Sequence, residues 1–141
     1  MKKYLNISLV YAIGALISGV FYREFTKWNG FQEVTVLGKV HTHLFLLGMV
    51  MFMLVALFAQ HSNLQEMKTF RVFLWLYNIG VPLTVIMMVV RGITQVLGLP
   101  LSTGADASIS GIAGIGHILT GVGIILLLLS LRKLGGRRQL V

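Results

Sequence analysis

The sequence contains no cysteine, four acidic residues and two prolines, and only 11% of its 141 residues are charged. Without cysteine there are no disulfides, iron–sulfur clusters, thiol redox chemistry or thioether-linked c-type haem. Soluble domains carry roughly 25% charged residues, so the shortage of charge argues against an ordinary soluble fold. The acids are Glu24, Glu33, Glu66 and Asp106, and none falls inside an apolar run. A carboxylate-assisted zinc site or a di-iron site is therefore disfavoured. No low-complexity segment or defensible internal repeat interrupts the pattern.

What the chain does have is apolar: 56% of its residues are hydrophobic, and the mean hydropathy is +0.85. Four apolar runs stand out, at about 5–22, 38–60, 70–90 and 109–131. Each is close to the roughly 20 residues a membrane helix needs. Four spans would take about 80 residues and leave about 60 for tails and loops, too few for a separate soluble domain. The expected fold is all-α, an integral membrane bundle of four transmembrane helices forming one domain. Lys2 and Lys3 imitate the start of a signal peptide. The run behind them exceeds a typical h-region and no small-residue cleavage site follows it, so it reads as a transmembrane helix. Pro82 is expected to kink the third helix without ending it.

The formal net charge of +8 does not point to nucleic acid, because the basic residues sit at the ends of the apolar runs. Lys2, Lys3, Lys68, Arg71, Arg132, Lys133, Arg137 and Arg138 fall on one side, and Arg23, Lys27, Lys39 and Arg91 on the other. The positive-inside rule then places both termini in the cytoplasm, in a bacterial-type inner membrane crossed several times, with the lipid bilayer as the first partner. Tyr22, Phe25, Trp28 and Phe31 suit an outer interfacial belt, and Trp75 and Tyr77 an inner one.

The histidines carry the chemical information. His41, His43 and His117 fall inside predicted spans at a similar depth near the outer surface. Intramembrane histidine is expensive and is by default a functional-site candidate. His41 and His43 are two residues apart, about 200° around a helix, so they face opposite ways and do not grip one ion together. On the fourth helix Ser110, Ala113, Gly114 and Gly121 share the face of His117, which lets a flat cofactor or another helix come close. Haem b suits such neutral imidazoles, because it needs only axial ligands, an apolar slot and a cation for its propionates. Arg91 or Arg23 is placed to supply that cation. The plainer readings are helix packing for the histidines, snorkelling for Arg91 and interfacial decoration for His61. Met49, Met51 and Met53 are spread around their helix and read as packing more readily than as a copper path.

The segment His41-Thr42-His43-Leu44-Phe45-Leu46-Leu47-Gly48-Met49 resembles the His-x-His helix of the haem–copper oxidase catalytic subunit. It is also similar to small haem-copper-like membrane proteins linked to nitric oxide response and to compact four-helix bacterial relatives. In the oxidases the two histidines of this helix ligate haems on opposite faces. This chain is shorter, lacks the separate copper-binding histidines and intramembrane acids, and adds His117 without an obvious counterpart. The resemblance thus implies haem binding without proton pumping or a full oxygen-reducing centre. The oxidase subunit is similar to three four-helix arcs around a pseudo-threefold axis. One chain would supply one arc, and a homotrimer would share haem between His41 of one subunit and His43 of the next. The rival arrangement lies within one chain, with His117 and either His41 or His43 as the axial pair. Electron transfer with an undetermined redox partner, or handling of oxygen or nitric oxide, follows from the haem reading. The alternative class is a small copper transporter, or an assembly subunit whose histidines pack between helices.

Overall fold

The computed structural model describes residues 1–60 and 62–138. Helix α1 spans Lys2–Trp28, α2 spans Val36–Gln60, α3 spans Lys68–Val96 and α4 spans Thr103–Arg138. A 3₁₀ turn at Leu64–Glu66 joins α2 to α3. The four helices are long and apolar enough to cross a membrane. They outrun the apolar stretches, most of all α4 with its 36 residues. Such a helix is about 54 Å long at 1.5 Å per residue, against a hydrocarbon layer of about 30 Å. Hydropathy marks only the part that lipid would cover, and the helical backbone continues past it at both ends. Pro82 lies within α3 and does not end it.

Local signals explain the helix ends. Gly30 and Gly98 both adopt φ 60°, the left-handed conformation that glycine takes without penalty. Phe31 N–H donates to Thr26 O at 2.9 Å, and Leu99 N–H donates to Thr94 O at 3.0 Å. These six-to-one bonds close α1 and α3 with the same C-terminal motif. Thr35 starts α2 by accepting from Leu37 N–H at 3.2 Å, and Ser102 starts α4 by accepting from Ala105 N–H at 3.2 Å, as N-caps do.

The helices form an open arc. α1 packs along α2, α2 also meets α3, and α3 packs along its whole length on α4, while α1 and α4 do not pack on one another. The start of α1 and the C-terminal part of α4 lie at one end of the arc, where Tyr4 meets Phe70 and Thr69 is hydrogen-bonded to Ser130 at 2.7 Å. The core is aromatic, with Phe52, Phe70, Phe73 and Tyr77 fully buried. Tyr77 therefore corrects its expected interfacial placement. It lies on the α2-facing side of α3, and its hydroxyl donates to Leu47 O at 2.8 Å. Trp75, two residues earlier, does point outward.

Tyr77 has a structural task that its sequence position conceals. Leu44–Val50 of α2 is a π-helical segment, a wider turn that is rare and often found near functional sites. Its loosened ladder leaves carbonyls that lipid cannot satisfy. Tyr77 caps Leu47 O from α3, and Ser8 caps Met49 O at 2.8 Å from α1. Tyr77→Phe is expected to destabilise the protein by about 1–3 kcal/mol, the cost of a buried polar group left unpaired. Thermal melting in detergent measures this as a lowered Tm.

Candidate functional site

The four-residue turn ahead of the π segment carries His41 and His43. The structure separates them, as their spacing demands. His41 turns toward α1, where a Cβ on Gly19 would stand 3.7 Å from the His41 Cβ. Its Nδ1 is buried there without a hydrogen-bond partner. His43 turns the other way, toward α4, and its ring centre lies 6.4 Å from that of His117, with the ring planes at 87°. The three candidate histidines are thus one pair and one outlier.

The pair is held in a defined chemical form. His43 Nδ1 lies 2.9 Å from Lys39 O, and His117 Nδ1 lies 2.8 Å from Ala113 O. Carbonyl oxygens only accept, so both Nδ1 atoms carry the proton and donate it. The remaining Nε2 atoms are then lone-pair donors, and among the described residues neither has a hydrogen-bond partner. A backbone carbonyl fixing one ring nitrogen while the other is free is the arrangement that prepares histidine for metal ligation. Each carbonyl belongs to the residue four positions earlier, so helix geometry alone aims these bonds.

The 6.4 Å spacing can be compared with coordination geometry. Two imidazoles on opposite sides of one metal, at bond lengths of about 2.0–2.1 Å, place their ring centres roughly 6.3 Å apart. Rotation about each metal–nitrogen bond leaves the bond intact, so nearly perpendicular rings are compatible with it. Beside His117 there is room, because no atom lies within 4 Å of where a Cβ would stand on Gly111, Gly114 or Gly121. His117 itself is exposed and His43 half-buried, so the pair opens to the outside of the arc. Among the described residues no group of three or more His, Cys, Asp or Glu side chains converges.

Arg91 projects from α3 and reaches α4 nearer the loops than His117. Its Nη2 donates to Ser110 Oγ at 2.7 Å and pairs with Asp106 Oδ1 at 3.0 Å. Ser110 precedes His117 by seven residues, about 10 Å along the axis. Arg23 is far more exposed and lies 3.8 Å from Glu24. His61 lies outside the described residues.

Residues 1–134 match the family described as Protein of unknown function (DUF2871). The chain belongs to this family. No curated protein and no solved structure matches it. The DUF2871 match takes in His41, His43, Arg91 and His117, so every candidate residue falls within the extent of the family.

Two features of the site were not legible in the sequence. One is the π segment directly behind His43, with its caps from Ser8 and Tyr77. No composition signal separates a π turn from an α turn in an apolar run. The other is the second small-residue face of α4, where Gly116 and Thr120 meet Gly80 and Thr84 of α3. It packs α4 on α3 so that the face bearing His117 stays uncovered.

Proposed function

We propose that this protein binds one b-type haem through His43 and His117 near the outer face of a bacterial cytoplasmic membrane and serves electron transfer. The observation that carries the reading is the His43–His117 pair, with both Nδ1 protons tied to carbonyls and the ring centres 6.4 Å apart. A porphyrin brings four nitrogen ligands of its own, so two imidazoles complete its coordination. A structural zinc site takes four ligands, and among the described residues no third histidine or acid joins this pair. The His-x-His resemblance supports the same cofactor, and the charge asymmetry of the loops supports the orientation.

A haem held this way supplies one-electron redox chemistry. With both axial positions filled by histidine, electron transfer is favoured over binding of oxygen or nitric oxide. The protein contributes axial ligation, an apolar surround and a nearby cation. Gly114 and Gly121 leave the side of His117 clear of side chains. The ligand pair lies within one chain, so one protomer suffices for the site. Assembly of the open arc into a homo-oligomer, a trimer on the oxidase resemblance, is a separate reading that native mass spectrometry tests.

An absorption spectrum of the detergent-purified full chain, oxidised and reduced, with pyridine extraction, is the decisive test. One haem b per chain and no spectral change with carbon monoxide is the expected result. A colourless protein from haem-replete cells overturns the proposal, and stoichiometric copper in that sample would assign the pair to the metal-carrier alternative.

Arg91 gives a second check. Loss of a charge-assisted hydrogen bond removes about 1.5–3 kcal/mol, so Arg91→Gln is expected to weaken haem retention about tenfold or more. Asp106→Asn keeps the guanidinium and is expected to leave retention unchanged. Haem transfer to apomyoglobin measures both.

A further inference from the structure

At the end of the arc opposite the histidines, an open surface groove of about 420 Å³ runs along α3, lined by Arg71, Leu74, Trp75, Asn78 and Ile79 and, from α1, by Lys3. We propose that it binds an anionic phospholipid, with the headgroup phosphate on Lys3 and Arg71 and an acyl chain along Leu74 and Ile79.

The argument starts from charge. Two cations line the groove and no acid does. The acid nearest in sequence, Glu66, belongs to the turn before α3 and is not part of the lining. Among the described residues neither Lys3 nor Arg71 forms an ion pair, since both ion pairs there involve other residues. Arginine suits a phosphate because its planar fork meets two oxygens at once.

Position adds a second, independent constraint. Arg71 and Ile79 lie eight positions apart on α3, roughly 12 Å along the axis. The lining therefore runs from the polar end of α3 into its apolar stretch. Trp75, 73% exposed, stands between the two zones, where an indole is favoured at the membrane–water boundary. A free phosphate would use the cations alone, whereas a lipid uses the whole gradient. Basic pockets between membrane helices on the cytoplasmic side are the recurring places for anionic headgroups. Beside the groove α1 meets α3 where Tyr4 packs edge-on against Phe70.

The test is native mass spectrometry of the full chain in detergent, titrated with dioleoyl phosphatidylglycerol or dioleoyl phosphatidylcholine. The expected result is one tightly retained phosphatidylglycerol. A Lys or Arg near anionic lipid contributes about a fivefold gain in affinity, so K3Q/R71Q should weaken retention roughly 25-fold. Removing two other exposed cations from the same end, in R132Q/K133Q, should leave it within a factor of about two, because surface charges outside a built site contribute little. Trp75→Ala should lower the preference for phosphatidylglycerol over inorganic phosphate as competitor. Equal retention of the two lipids, or equal losses in the two double variants, overturns the proposal. Displacement of lipid by millimolar inorganic phosphate overturns the lipid assignment and leaves a plain anion site. All side chains altered are exposed, so the variants test binding and not folding.

Discussion

Alanine at His43 or at His117 is expected to lower haem content per chain at least tenfold, while alanine at His41 leaves it unchanged. The reason lies in how little else would hold the cofactor. There is no cysteine for covalent attachment, so retention depends on the axial bonds and apolar contact. His43 and His117 have their Nδ1 protons tied to backbone carbonyls and their ring centres 6.4 Å apart, whereas His41 faces α1 across Gly19. Pyridine extraction with protein quantification reads the result, and helical circular dichroism confirms that each variant has folded. His117→Met sharpens the test. A thioether keeps an axial bond and raises the reduction potential, an effect no packing role produces. Haem loss confined to His41→Ala would move the site to the α1 side of α2 and sink the present assignment.

The second large effect is expected from the α3–α4 contact. A Cβ on Gly80 would stand 2.7 Å from the Thr120 backbone nitrogen, and one on Gly116 would stand 2.9 Å from the Thr84 backbone nitrogen. Backbone cannot yield as a flexible side chain does, so even alanine must separate the helices. Overpacking costs about 1–3 kcal/mol, occasionally more, and Gly80→Leu or Gly116→Leu belongs at the upper end. These variants should melt well below the parent and also lose haem, because His117 rides on α4 while His43 rides on α2. Gly121→Ala and Gly114→Ala meet nothing within 4 Å and should change the melting temperature little. Melting that falls equally in all four variants would show that α4 is packed on both small faces, and the open face beside His117 would be lost as an argument.

The two faces of α4 show how far a sequence of this kind can be read. Gly111, Gly114, Gly116, Gly121 and Gly123 look alike in one dimension. Helical periodicity separates Gly116 and Gly123 from Gly114 and Gly121, but it does not say which pair faces a neighbour. The structure gives Gly116 and Gly123 to α3 and leaves the other pair open. Tyr77 is a similar case, an aromatic that belongs equally well to an interface or a core. Only its hydrogen bond to the π segment shows which it is.

The sequence by itself determined the four apolar helices and the opposed faces of His41 and His43. Both follow from local chemistry: transfer of side chains into lipid and a rotation of 100° per residue. Tertiary structure alone decided that His43, and not His41, stands beside His117. That choice depends on how each helix is turned about its own axis, which contacts between neighbours set. Gly19 takes His41 against α1, and Gly80, Gly116 and Thr84 lock α4 onto α3. With both rotations fixed, two imidazoles from helices far apart in sequence share one space.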